Sequence, residues 1–169
     1  MNNFSNILIV YLMMFCISCA TKNVINNQID SNQGFNNINL DKNYPFLKMR
    51  RTPCFGKCPY YEVIIFSNGD ISYEGFKFVE KIGKFKSSIN IKKLAYIKEK
   101  IKEVDFFSFD SIYDAGVSDL PSIIIEVNIN NKKHRVKGRY KMPQQFKYFS
   151  NFIDEIFNEV DSWDKIIDQ

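Results

Sequence analysis

Tyr60-Tyr61-Glu62-Val63-Ile64-Ile65-Phe66-Ser67-Asn68-Gly69-Asp70-Ile71-Ser72-Tyr73-Glu74-Gly75-Phe76 is the stretch that decides the fold. Two runs rich in β-branched and aromatic residues flank Ser67-Asn68-Gly69-Asp70. Asn-Gly supplies the positive φ that a two-residue hairpin loop demands. The pattern therefore predicts a strand over 60–66, a tight turn, and a return strand over 71–76. Working outward, residues 45–51 are expected to form a first short strand. Residues 78–85 are expected to form a third antiparallel strand, with Gly83 weakening it or marking a bulge. Asn90 is placed to cap a helix reaching about Val104, in which Leu94, Ile97, Ile101 and Val104 share one side. A loop carrying Phe106, Phe107, Phe109 and Tyr113 follows, turned by Asp114-Ala115-Gly116.

Pro121 then opens a strand in which Ile123, Ile125, Val127 and Ile129 share one face while Glu126, Asn128 and Asn130 share the other. Asn130-Asn131 is a turn into a strand over 133–140. Pro143 suits the first turn of a closing helix, where Phe149, Phe152, Ile153, Ile156, Phe157 and Val160 form a broad apolar stripe, with Trp163 just beyond. Every strand-to-strand link is short enough for a hairpin. The expected class is α+β: a mainly antiparallel sheet of about five to six strands with two helices packed on one face.

Composition narrows the function. With 15% aromatic and 45% hydrophobic residues in 169, the chain is no disordered or low-complexity protein. One His and four Cys leave few ways to build a zinc or haem site, and no cofactor is expected. A net charge of +4 is too small to announce a nucleic-acid binder, and no nucleic-acid partner is expected. That average hides a polarised chain: residues 1–150 carry 22 basic and 13 acidic groups, whereas residues 151–169 carry one and six.

Residues 1–18 hold no charged side chain, and residues 7–17 are continuously apolar. That run is too short to span a bilayer, which needs roughly 20 apolar residues, but it suits a secretory h-region. It ends Cys16-Ile17-Ser18-Cys19-Ala20, which resembles a bacterial lipobox, although Cys16 stands where Leu is usual and the leading residues lack Lys or Arg. The resemblance implies a lipoprotein signal peptide over 1–18 and lipidation of Cys19, with palmitate among the acyl chains anchoring the protein in the membrane. No Asp follows the cysteine, which by analogy with lipoprotein sorting implies the outer membrane, on its periplasmic or surface side. Residues 19–43 then form the lipidated cysteine and a flexible Asn-rich tether, with a reach of roughly 27 Å. Residues 44–169 make the single α+β domain.

Cys54 and Cys58 remain, in Cys54-Phe55-Gly56-Lys57-Cys58-Pro59. Outside the cytoplasm, two lone cysteines four positions apart are most simply a disulfide bond. Two other chemistries compete. A thiol-redox protein wants its nucleophilic cysteine at a helix N-terminus, whereas Pro59 leads into a strand. Cys-x-x-x-Cys-Pro also resembles the motif of Sco-type copper chaperones, with Cys54, Cys58 and a distant His134 as metal ligands. That family has a thioredoxin-like fold, and the flanking residues here differ.

The longer string Arg51-Thr52-Pro53-Cys54-Phe55-Gly56-Lys57-Cys58-Pro59-Tyr60-Tyr61-Glu62-Val63, then Asn68-Gly69-Asp70 and Tyr73-Glu74-Gly75, resembles a family of uncharacterised exported bacterial domains. These are mostly lipoproteins with the signature R-T-x-C-F-G-x-C-P-x-Y. The similarity covers most of residues 45–163 and implies export and domain boundaries. The family is a domain of unknown function and implies no catalytic residue.

Lys133, Arg135, Lys137 and Arg139 alternate onto one strand face, with His134, Val136 and Tyr140 on the other. They are candidates for binding anionic envelope lipid or glycan, or else a solvated strand face paired with Glu126. Asp110, Asp114 and Asp119 match no calcium loop. Tyr60, Tyr61, Tyr73 and Tyr96 suit either a sugar site or half-buried positions. A lone His makes a hydrolytic triad improbable. The expected function is that of a lipid-anchored cell-envelope protein, a binding or structural accessory module more than an enzyme. A copper-binding or thiol-redox role for the Cys54/Cys58 pair stands as the alternative, and another envelope protein is a further candidate partner.

Overall fold

The computed structural model describes residues 43–116 and 118–167. The expected signal peptide, Cys19 and nearly all of the expected tether lie outside the described residues. Among the described residues no helix is long and apolar enough to cross a membrane.

Eight strands form one sheet: β1 (Pro45–Arg51), β2 (Tyr60–Phe66), β3 (Asp70–Lys77), β4 (Gly83–Ser88), β5 (Ile112–Tyr113), β6 (Ile123–Ile129), β7 (Lys132–Gly138) and β8 (Asp164–Lys165). Their spatial order is β5-β7-β6-β1-β2-β3-β4-β8. All pairs are antiparallel except β5 with β7. Among the described residues, two helices join the sheet, α1 (Ile91–Glu103) and α2 (Gln144–Asn158), with a 3-10 turn at Phe106–Ser108.

The hairpin forms where Asn-Gly places it. Gly69 takes a φ of 95°, and the Asn68 side chain accepts from the Asp70 amide at 3.0 Å. A Cβ at residue 69 would meet the carbonyl oxygen of Ile89 at 2.5 Å, so Gly is needed for space as well as conformation. At the second hairpin Asn130 and Asn131 both take positive φ, 51° and 62°, as a primed turn requires. Asn90 caps α1 by accepting from the Lys93 amide at 2.9 Å.

Alternation along the strands sorts the sheet into two faces. Leu47 and Met49, Val63 and Ile65, Ile71 and Tyr73, Ile125 and Val127, and Val136 are all buried on one face. The helices add Leu94, Ile97 and Ile101 from α1 and Phe146, Phe149, Ile153 and Ile156 from α2 to the same core, and Tyr96 and Phe152 meet edge to face at 5.2 Å between them. Each large apolar side chain so buried contributes roughly 1.5–3 kcal/mol.

Two expectations need correction. The strand count is eight, above the expected five to six, because the two-residue strands β5 and β8 add an edge at each side. Elements that short carry no readable period. The third strand is also displaced. Phe78 adopts a φ of 57°, which ends β3, and β4 runs over Gly83–Ser88. Residues 78–82 are a loop, and that loop helps build the site below.

Candidate functional site

β1 ends at Arg51, and the antiparallel register sets Arg51 beside Tyr61 of β2. In phase with Met49 and Val63, both side chains rise on the helix-covered face, at one end of the sheet. α2 passes over them and presents Asp154 and, three residues on, Phe157. The Arg51 guanidinium pairs with Asp154 through Nη2 and Oδ2. Tyr61 Oη donates to Asp154 Oδ1 and accepts from Arg51 Nε at 3.0 Å. Arg51 Nη1 has no protein partner among the described residues. Burial pushes the Tyr61 phenol far above its usual range, and the Asp154 charge adds to it. Burial opposes the charge on Arg51, but the hydrogen bond and charge of Asp154 outweigh it, so the guanidinium is held ionised.

Aromatic rings continue the wall. Tyr73 lies 5.7 Å from Tyr61, 6.0 Å from Phe157 and 5.5 Å from Trp163, centroid to centroid. Burial, helped by the Glu80 carboxylate, pushes the Tyr73 phenol up to about 12. Trp163 follows α2 and is fixed there by the β8 pairing, where Lys165 stands opposite Phe85. Ser87 Oγ adds a hydrogen bond to the carbonyl of Ser162 at 2.6 Å.

Two loops close the sides. A Cβ on Gly75 would lie 1.8 Å from the carbonyl oxygen of Lys81, so the glycine lets residues 78–82 lie down beside Tyr73. On the other side, Cys54 and Cys58 form a disulfide with Cα atoms 5.7 Å apart, bracing the short loop between β1 and β2. Cys58 and Lys57 line the pocket, whereas Phe55 points outward and is 95% exposed. Thr52 and Ser122 lock the segment before β6 to the end of β1. The Thr52 amide donates to the Ser122 carbonyl at 2.9 Å, and the Ser122 amide donates to Thr52 Oγ1 at 2.7 Å. The half-open cavity measures about 460 Å³, within the usual range of small-molecule sites.

The structure distributes the candidates read from the sequence unevenly. Tyr61 and Tyr73 reach the pocket. Tyr60 stacks on Phe76 at 4.3 Å and accepts from Arg50 Nη2 at 2.6 Å, and Tyr96 sits half exposed on α1. His134 lies on β7 with Nε2 2.8 Å from the Phe109 carbonyl and its ring against Phe106. The sulfurs of Cys54 and Cys58 are joined to each other, and the structure does not gather them with His134. Among the described residues no three His, Cys, Asp or Glu side chains are grouped to hold a metal ion.

Lys133, Arg135 and Lys137 share the open face of the sheet, and Arg139 follows just past the end of β7. Lys133 pairs with Glu126 at 3.0 Å, while Lys137 and Arg139 meet Asp114 at 3.1 and 3.6 Å. Arg139 Nε also donates to Ser122 Oγ at 3.0 Å.

Arg51, Asp154 and Trp163 were not singled out as site residues by sequence. A signal existed for two of them: Arg51 occupies an apolar phase of β1, and Asp154 borders the apolar stripe of α2. For Trp163 no local signal exists, because its place depends on β8.

A profile of one protein family matches residues 45–157, from the start of β1 to the last turn of α2. The family is described as a domain of unknown function (DUF6438). The match includes Arg51, the disulfide, Tyr61, Tyr73 and Asp154, and stops before Trp163. No curated protein matches the chain.

Proposed function

We propose, for a chain that belongs to the DUF6438 family and hence to a domain of unknown function, the role of a ligand-binding accessory module of the bacterial cell envelope. The observation that carries this reading is the pocket at the Arg51 end of the sheet. It combines aromatic walls with a small, fixed polar cluster, which is how sites for small molecules are made. Its polar groups are preorganised, because Arg51, Tyr61 and Asp154 hold one another in place. The reading is capture of a ligand.

The envelope assignment rests on the first nineteen residues, whose pattern supports export, cleavage before Cys19 and acylation of that cysteine. Residues 20–43 serve as the tether of the domain over 44–169.

Both halves are testable. Cells labelled with radioactive palmitate should mark the full chain but not Cys19→Ala, and the variant should leave the membrane fraction. A Cys19→Ala protein that stays in the membrane fraction contradicts the anchor. A fragment screen by ligand-observed NMR should return binders that shift the fluorescence of Trp163, the chain's single tryptophan. Binders that all leave Trp163 unmoved, or no binders at all, contradict the pocket.

A further inference from the structure

We infer that the pocket takes a small ring-bearing organic acid, its carboxylate received by Arg51 and Lys57 and its ring laid against Tyr73 and Trp163. This rests on the pocket being the binding site and specifies what it binds.

The charges around the cavity decide the sign of the ligand. Asp154 is committed to Arg51 and Tyr61. Glu80 is 92% exposed, so its charge is solvated. The charged side chains lining the cavity are Arg51, Lys57 and Lys81 against Glu80 and Asp154, a surplus of one positive charge. Two hydrogen-bond donors remain. Arg51 keeps the Nη1 edge of its guanidinium without a partner while Asp154 and Tyr61 hold the rest of the group. Lys57 lines the same cavity from the loop braced by the disulfide and has no partner among the described residues. A guanidinium edge and an ammonium lining one cavity match a carboxylate, which accepts charge-assisted hydrogen bonds. A neutral ligand would displace water from that edge and return less.

The ring follows from the aromatic wall. Tyr73 and Trp163 stand 5.5 Å apart with 59° between their planes. They form an angled apolar surface that accepts the face of an aromatic ring or the C–H face of a pyranose. Aromatic acids and acidic sugars share this chemistry, and the experiment separates them.

Trp163 emission of the full-length protein in detergent is titrated with 4-hydroxyphenylacetate and D-glucuronate, each beside its uncharged amide. One acid should change the emission saturably and bind about tenfold or more tightly than its amide. Which acid does so identifies the source. Lys57→Gln, on an exposed loop position, should weaken that acid about tenfold with the melting temperature unchanged. An amide binding as well as its acid overturns the anionic assignment and leaves the pocket reading intact. Silence from all four probes up to about 10 mM, a range that registers even millimolar affinity, overturns the ring-acid assignment, while the pocket reading stands or falls on the fragment screen. Unaltered binding to Lys57→Gln removes Lys57 from the site.

Discussion

Arg51 and Asp154 form an ion pair that fastens the end of β1 to the middle of α2 across 103 positions of chain. Both are mostly shielded, with side-chain exposures of 19% and 24%. The pair is at once a tertiary clamp and the polar centre of the pocket. Asp154→Asn should cost about 2–4 kcal/mol, because it leaves a desolvated guanidinium without its counter-charge. The double variant Arg51→Met with Asp154→Leu should cost clearly less than the two single changes summed. Urea melts of wild type, Asp154→Asn, Arg51→Met, Asp154→Leu and the double variant check this, and strict additivity within the cycle would show that the two residues are not coupled.

Stability should fall on the alkaline side through two tyrosines. Tyr61 and Tyr73 titrate higher in the folded protein than in the unfolded chain, whose phenols ionise near pH 10. The folded state therefore holds protons that the unfolded state has released, and stability declines as pH rises. The contribution of Tyr73 is fully present below about pH 10 and is lost as pH climbs toward about 12, while that of Tyr61 is lost at higher pH still. Tyr73→Phe should flatten that decline relative to wild type. Denaturant midpoints between about pH 8 and 11.5 measure it, and parallel curves for the two proteins would contradict the assignment.

Gly75 seats the loop over 78–82. Gly75→Ala places a methyl where the Lys81 carbonyl lies, 1.8 Å from the new carbon. Something must move, at a cost of about 2–4 kcal/mol. Hydrogen exchange should show the loop amides less protected, whereas the Asn68-Gly69 turn of the same hairpin should keep its protection. Unchanged exchange in residues 78–82 would mean that the loop does not depend on Gly75.

The Cys54–Cys58 bridge closes a ring with a sequence separation of four. On the chain-entropy estimate it contributes about 2 kcal/mol. Alkylation without reductant, followed by mass spectrometry, should leave both cysteines unlabelled. Cys54→Ser with Cys58→Ser should lower the melting temperature by about 8 °C, at about 4 °C per kcal/mol in a domain of this size. Labelled thiols in air-purified wild type would restore the redox and copper alternatives.

The parts of this fold that were legible in the sequence are those whose signals are local. The Asn68-Gly69 turn, the Asn90 cap and the alternation of Ile123, Ile125 and Val127 each read correctly because turn chemistry, capping and pleat act over a few residues. The displaced strand shows the limit. Phe78 to Phe85 has strand composition, yet the positive φ of Phe78 and the close seat on Gly75 turn its first half into a loop. β5 and β8 exist only through pairing with distant strands, and Trp163 is positioned by β8. The acid-rich stretch over 151–169 concealed Asp154 among its solvated neighbours, because counting charge says nothing of which helix face carries it. Arg51 was visible as part of a motif, but its partner lies on another element, and only the folded chain joins them.

The most direct test of the pocket is the indole N–H resonance of Trp163 in ¹⁵N-labelled protein, followed with the Arg51 Nε–H signal during titration with a binder from the fragment screen. The account predicts that both resonances move together and saturate at the same ligand concentration, with the amides of β7 on the far side of the sheet unmoved. Saturable shifts confined to Lys133, Arg135 and their neighbours, with Trp163 and Arg51 unchanged, would contradict it.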